Sequence, residues 1–506
     1  MKSLSRLALT SSCLLALVAC GGSQGATSQP TESSELVTRP AQPLTDLSTP
    51  PPPGEPSPYE LPAVETFELD NGLAVVLVNR PEFPTLAVRL GIRAGTDSTG
   101  GNPALSELTT RLLRDGTTSM SSEAIARYID SNGLVFGAGA GDNSVSLSVD
   151  GLSTQLPEML TLLADLAMNA NFPEDRYAAR REELLGELQL AEAQPSFHLG
   201  RVTDRVLFGD HVYGQALSAE NVESVTREAL VEFYQGAYGA NRSRLVIVGA
   251  LPENARDTIR DTLSGWNTSP VEWQVEAPAA IATCNEAHVV FRPNSAQTSI
   301  RWVGPAVASD DPSYMPAMIA NEILGGGIIG RLFMNLRERR SFTYGAYSAM
   351  RELEEAAWFT ASSEVRSDVT ADALGAFLEE FNRWQDETLP EQDLSNNISY
   401  LSGVFPIELA RNGAIAGRLL SLYFSGLDAP EFLENYRAQV NAATVESVTA
   451  AGRDMINPSQ FALIMVGEEA AVRPAALQYA SKVYVYDLDG ELVETLDGEA
   501  ASTCPE

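Results

Sequence analysis

Histidine is nearly absent from this chain: there are three in 506 residues, His198, His211 and His288. None has a second His at helical spacing with a Glu between them, so the sequence holds no two-histidine helical metal site. Cysteine is almost as scarce, with four residues, Cys13, Cys20, Cys284 and Cys504, too scattered to form a clustered metal site. Positive charge is also short. Lys and Arg total 34 against 67 Asp and Glu, a formal charge of −33. That balance argues against a nucleic-acid partner, which requires a basic surface to neutralise phosphates. After the N-terminus no apolar run is long enough to cross a bilayer, and no nucleophile elbow is found. Two glycine-rich stretches imitate phosphate loops and fail. Gly137-Ala138-Gly139-Ala140-Gly141 is followed by Asp142 and no helix, and reads as a glycine-rich strand or turn. Gly325-Gly326-Gly327 lacks a Lys-Ser/Thr pair in register, and suits close backbone packing at a helix start. What is present is ordinary globular material: 44% hydrophobic and 20% charged residues, enough for several domains' worth of core.

The first nineteen residues read as an export leader. Lys2 and Arg6 precede a short apolar core at Cys13 to Val18, the size of a signal-peptide core. Leu17-Val18-Ala19-Cys20 resembles the bacterial lipobox, in which the Cys is lipidated and becomes the new N-terminus; the alternative is an ordinary signal peptide cut nearby. No Asp follows Cys20, and by resemblance to sorted lipoproteins that implies the outer membrane, periplasmic face. Removing residues 1–19 takes away two cations and leaves 32 − 67 = −35. Residues 20–60 are rich in Ser, Thr, Pro and Gly and form a semi-extended tether. Cys284 and Cys504 remain, a pair suited to a disulfide in an oxidising compartment; the alternative is two unpaired thiols.

The body is written twice. Asp70-Asn71-Gly72 between two apolar runs is a hairpin signal, followed by a strand at 85–93, helices near 105–112 and from 122, and two strands within 134–150. Helical stretches at 154–169, 173–193 and 226–235 lead to the strand Leu245-Val246-Ile247-Val248-Gly249. The helix start at Thr226 and that strand recur at Thr444 and at Leu463-Ile464-Met465-Val466-Gly467, both at an offset of 218. Two matches at one offset predict duplicated α+β units, 61–270 and 285–470, with 471–506 an extension carrying a small hairpin.

Leu324-Gly325-Gly326-Gly327, Arg331-Leu332-Phe333 and Leu336-Arg337-Glu338-Arg339-Arg340-Ser341-Phe342-Thr343-Tyr344-Gly345 together resemble the second-half signature of the insulinase/pitrilysin family of zinc peptidases, an "RLF…LRE+RGLTYG" run. Asp115-Gly116-Thr117 with Ser122-Glu123-Ala124-Ile125, and His211-Val212-Tyr213-Gly214 with Ala237-Tyr238, resemble first-half features of that family. The likeness spans about 61–470. It implies two homologous α/β rolls forming half of a clamshell chamber, with peptide substrates added as a strand on a sheet edge.

Active members carry H-x-x-E-H on a first-half helix, two His and a later Glu holding zinc while the motif Glu activates water. In register here stand Glu107, Thr110 and Arg111, with Glu187 at the third-ligand position 80 residues on. A guanidinium repels zinc, and Thr is no carboxylate base. Glu187 then reads as a remnant, solvated or salt-bridged, with Arg111 as the partner that replaces the metal. Arg337 and Tyr344, seven apart, match the pair that in the family reaches across the chamber to the substrate at the other half's zinc; the alternative is an Arg paired on its helix and a Tyr packed at a strand start. The resemblance therefore implies a non-catalytic subunit with no cofactor of its own, completing a periplasmic heterodimer with a zinc-bearing, H-x-x-E-H homologue and binding peptides. The competing expectation is a scaffold or peptide-binding lipoprotein with no proteolytic partner.

Overall fold

The structure, a computed structural model, describes residues 60–271 and 275–504. The leader, the lipidation point Cys20 and all but the last residue of the tether lie outside the described residues.

The expected first hairpin is present. β1 (Val64–Glu68) pairs antiparallel with β2 (Ala74–Asn79), and Gly72 takes φ +83° between them, a left-handed turn geometry that explains the Asn-Gly. The first sheet adds β3 (Thr85–Ile92), β4 (Val135–Ala140), β5 (Val145–Leu152) and β6 (Ser243–Gly249) in the order β1-β2-β6-β3-β5-β4. Only β2 and β6 run parallel. The second sheet comprises β7 (Glu286–Phe291), β8 (Gln297–Pro305), β9 (Thr343–Leu353), β10 (Ala356–Arg366), β11 (Ala462–Gly467), β12 (Lys482–Tyr486) and β13 (Leu492–Asp497), ordered β13-β12-β7-β11-β8-β10-β9. The order β2-β6-β3-β5-β4 is thus repeated as β7-β11-β8-β10-β9, an α+β unit duplicated in one chain. Each unit leaves one strand with an unpaired edge at the same end, β4 and β9.

The extension carries the expected hairpin, β12–β13, and that hairpin joins the second sheet. β12 pairs in parallel with β7 and then turns into β13, while the helix Glu469–Tyr479 packs against β7 and β11. The alternating apolar residues Val483 and Val485 are buried, which holds the hairpin to the body rather than apart from it. Cys284 and Cys504 are joined in a disulfide that ties the last described residues to the entry of β7.

In the first half, α1 (Pro103–Leu112), α2 (Ser122–Ser131), α3 (Leu156–Asn169), α4 (Glu174–Glu192) and α5 (Pro195–Phe208) follow the strands. Leu108, Leu112, Leu160 and Leu163 pack against Val75, Leu77, Leu90 and Ile247 on one face of the sheet. The alternate strand residues Val76, Val78, Val246 and Val248 are equally buried, but in a different core. The helix that packs on β3 and β6 from that side, Asn412–Phe424, comes from the second half. The arrangement is reciprocal: α5, from the first half, covers the second sheet at β8 and β11, with Leu199, Val202 and Phe208 against Val303, Ile464 and Val466. Strands buried on both faces must be apolar throughout, which is why β6 and β11 read as unbroken hydrophobic runs. Each fully buried Leu or Val stabilises the body by roughly 1.5–3 kcal/mol.

Candidate functional site

α1 carries Glu107, Thr110 and Arg111, the residues that the resemblance sets in register with the zinc motif. It opens at Asn102, whose side chain accepts from the Ala104 N–H, with Pro103 in the first turn. Ala104, Leu108 and Leu112 are fully buried and fix the helix against the sheet. That packing leaves Glu107 and Arg111, one helical turn apart, on a partly open face toward α4. The Arg111 Nε donates to Glu107 at 2.5 Å, and its other nitrogen contacts Glu187 of α4 at 2.9 Å. The guanidinium therefore sits between the two carboxylates. Burial alone would lower its pKa; the hydrogen bonds to Glu187 and Glu107 outweigh that and raise it. Thr110 points inward, 3% exposed, toward the buried Tyr238 hydroxyl.

This donor set does not fit a zinc ion. Two carboxylates remain, but a permanently charged guanidinium bridges them, and neither a thiolate nor an imidazole is within the group. The three His lie elsewhere in bonding roles of their own. His198 pairs through Nε2 with the Glu192 carbonyl at 2.8 Å, and His211 with the Glu276 carbonyl at 2.8 Å. His288 bonds the Tyr486 hydroxyl at 2.9 Å, and burial depresses its pKa to about 4. Among the described residues the single group of three potential metal ligands in reach of one another is Cys284, Glu286 and Cys504, two of which form the disulfide.

The loop after α1 is built from residues the sequence marked only by resemblance. Asp115, nearly inaccessible, accepts from Arg180 of α4 at 2.6 and 3.0 Å, a bidentate pair that raises the Arg180 pKa. Thr117 and Ser119 donate to the buried Asp165 at 2.5 and 2.7 Å. These bonds hold α1, α3 and α4 in mutual register while the metal chemistry of the motif is absent. Sequence reasoning did not find Arg180 or Asp165; nothing but their distant partners distinguishes them.

The second-half positions are arranged differently. Gly325-Gly326-Gly327 closes a wide-turn helical segment, Glu322–Gly326, rather than opening a helix; the next helical residues begin at Arg331. The expectation of a helix start was displaced by the turn Gly327–Gly330. Close packing is nevertheless the reason for Gly325, where a Cβ would lie 2.6 Å from the Ser348 nitrogen. Arg337 lies in a second wide-turn segment, Phe333–Arg339, with its guanidinium 4.7 Å from the Phe333 ring and 3.7 Å from Glu338. Tyr344 is the second residue of β9 and is 89% exposed. Among the described residues its hydroxyl has no hydrogen-bond partner, and no bond joins Arg337 or Tyr344 to the Glu107–Arg111–Glu187 cluster. One half thus has a closed ion triad, the other an accessible guanidinium and phenol.

Residues 74–219 match the family model described as insulinase (peptidase family M16), and residues 224–401 match the peptidase M16 inactive domain. Together these span more than half of the chain. The chain is similar to an uncharacterised zinc protease of Streptomyces coelicolor, at 22% identity over 406 residues covering 78% of this chain and 87% of that protein. It is similar in structure to a peptidase M16 inactive domain from Pseudomonas fluorescens, with 26% identity and a TM-score of 0.75 over 80% of this chain and 98% of that one. The periplasmic protease PqqL from Escherichia coli shares the fold at 16% identity and a TM-score of 0.69, over 86% of this chain and 49% of PqqL.

Proposed function

The chain belongs to the insulinase family of peptidases, family M16, and from that premise we propose that it is the non-catalytic subunit of a two-chain zinc peptidase. The observation that carries this reading is the asymmetry between its halves. The position where the family holds zinc contains Arg111 bonded to Glu107 and Glu187. The position where the family holds its substrate-side donors contains an exposed Arg337 and an exposed Tyr344. A guanidinium and a phenol can donate to a peptide carbonyl and to the oxyanion that develops on it. Zinc and its activated water would be supplied by a homologue bearing H-x-x-E-H. This chain would complete the chamber and hold the peptide.

The leader and Cys20 support export as a lipoprotein, and the absence of Asp after Cys20 supports the periplasmic face of the outer membrane. The Cys284–Cys504 disulfide accords with an oxidising compartment.

The test is reconstitution. The chain is co-expressed with a homologue carrying the motif, and cleavage of an internally quenched peptide is measured. The pair should form a stable complex, and Arg337→Ala should lower kcat/KM about 100-fold, with a smaller loss for Tyr344→Phe. A chain that enters no such complex, or one whose two substitutions leave cleavage unchanged, is a scaffold and not a peptidase subunit.

A further inference from the structure

Glu380 is a charged residue with no exposed surface at all. Glutamate is almost never so deeply buried unless it is paired. It lies on the helix Thr370–Asp386, packed against the segment that carries Arg337. One carboxylate oxygen accepts from the Asn335 side-chain amide at 2.7 Å, the other from Arg383 at 3.0 Å, and Arg339 lies 3.8 Å away. Asn335 is itself 1% exposed. Its own side-chain oxygen accepts from the Arg340 Nε at 2.7 Å, and Arg340 reaches on to Glu379 at 2.5 Å. Asn335 is therefore clamped at both ends of its amide. The clamp fixes the wide-turn segment two residues before Arg337, and the Arg340 bond fixes it three residues after.

The backbone needs such a device. Over Phe333–Arg339 the winding is wider than an α-helix, as in the Arg340 N–H to Asn335 carbonyl bond at 3.2 Å. Such turns are uncommon and are frequent at functional sites. They persist where surrounding contacts over-determine them. The side chain whose direction the winding sets is Arg337, half-exposed and in contact with the Phe333 ring and Glu338.

We propose that Glu380, acting through Asn335, is the positioning residue that sets the direction of Arg337 toward the peptide. This rests on the reading of Arg337 as a substrate-side donor. A buried carboxylate whose worth is only structural would lower stability without acting through Arg337, so the test is a double-mutant cycle in the reconstituted two-chain enzyme. With an internally quenched peptide as the probe, Arg337→Ala should lower kcat about 100-fold. Glu380→Ala should lower kcat about tenfold with KM within twofold, and should add nothing in the Arg337→Ala background. Glu380→Gln keeps an acceptor for Asn335 and should restore kcat to within about threefold. If Glu380→Ala does not fold, Asn335→Ala replaces it with the same expected non-additivity. Full additivity with Arg337→Ala, or an unchanged kcat in both Glu380→Ala and Asn335→Ala, overturns the proposal while leaving the role of Arg337 intact. An unchanged rate in Arg337→Ala overturns both.

Discussion

Arg111, in register with the family's second histidine by resemblance, has two carboxylate partners that converge on it from α1 and α4. The packing of α1 on α4 brings Glu107 and Glu187 together, and the Arg111 cation between them offsets their mutual repulsion. Replacing that cation with a neutral ligand should recover a metal site: Glu107→His with Arg111→His, keeping Glu187, restores a His₂Glu donor set on an unchanged helix pair. One zinc per chain is expected after dialysis by elemental analysis, with none when Glu187→Ala is added; a double variant that binds no zinc would mean that α1 and α4 have shifted. Two buried titratable residues bear on the acid response in opposite directions. Burial pushes Asp204 up from 3.8 to about 7, aided by the Asp142 charge and opposed by Arg301. A carboxyl raised in the folded state contributes stability that is full below pH 3.8 and lost as pH rises through 7. His288 works the other way: depressed from 6.5 to about 4, its contribution is full above pH 6.5 and lost as pH falls through 4. The two slopes oppose each other between about pH 4 and 6.5. Asp204→Asn should remove one of them, so urea unfolding should show stability rising from pH 4 to 6.5, and a gain over the parent at pH 8 of roughly 2–4 kcal/mol. A variant with the parent's pH profile would show that Asp204 titrates normally.

The element that differs most from its sequence-based expectation is the turn from Phe333–Arg339 into β9. The motif residues were legible, because Arg337 and Tyr344 stand in a run of specific order. Their setting was not. A wide turn leaves no periodicity signal distinct from an α-helix, and the glycines that close one helix cannot be told by type from glycines that open the next. One residue in this run departs from the family pattern with a physical cost. Ser341 stands where the pattern has Gly, and its φ is +56°. The left-handed region costs a residue with a Cβ roughly 1–2 kcal/mol. The Ser341 N–H still bonds the Arg337 carbonyl at 3.0 Å, and Phe342 bonds Leu336 at 2.9 Å, so the surrounding turn imposes the conformation. Ser341→Gly should stabilise the protein by about 1 kcal/mol, offset in part by the greater freedom of Gly in the unfolded chain. Thermal unfolding checks this, and a lowered midpoint would show that the serine side chain contributes more than its backbone costs.

At the scale of the whole molecule, duplication was legible from two segments at one offset, and the repeated strand order agrees with it. The exchange of helices was not. α5 and Asn412–Phe424 each bury an apolar face, but nothing local says that the face belongs to the other unit's sheet, because the partners are about 100 to 330 residues away in sequence. The same holds for the polar tie between the halves, where Arg93 bonds Glu354 and the Glu354 N–H donates to Asn143 at 3.0 Å. The consequence of the exchange is cooperativity. A sheet with one face covered by the other half's helix cannot keep that face buried once the other half unfolds, so the two units should lose structure together. Leu419 on Asn412–Phe424 is fully buried and lies 170 residues from β6, in the other half, against 43 from β11. Leu419→Ala should cost about 2–5 kcal/mol through lost burial and a cavity. Hydrogen exchange of the backbone amides of β6 and β11 should then report equal losses of protection, although β6 faces the altered helix and β11 belongs to the other sheet. Loss confined to β6 would mean that the halves unfold independently and that the exchanged helices only cover surface.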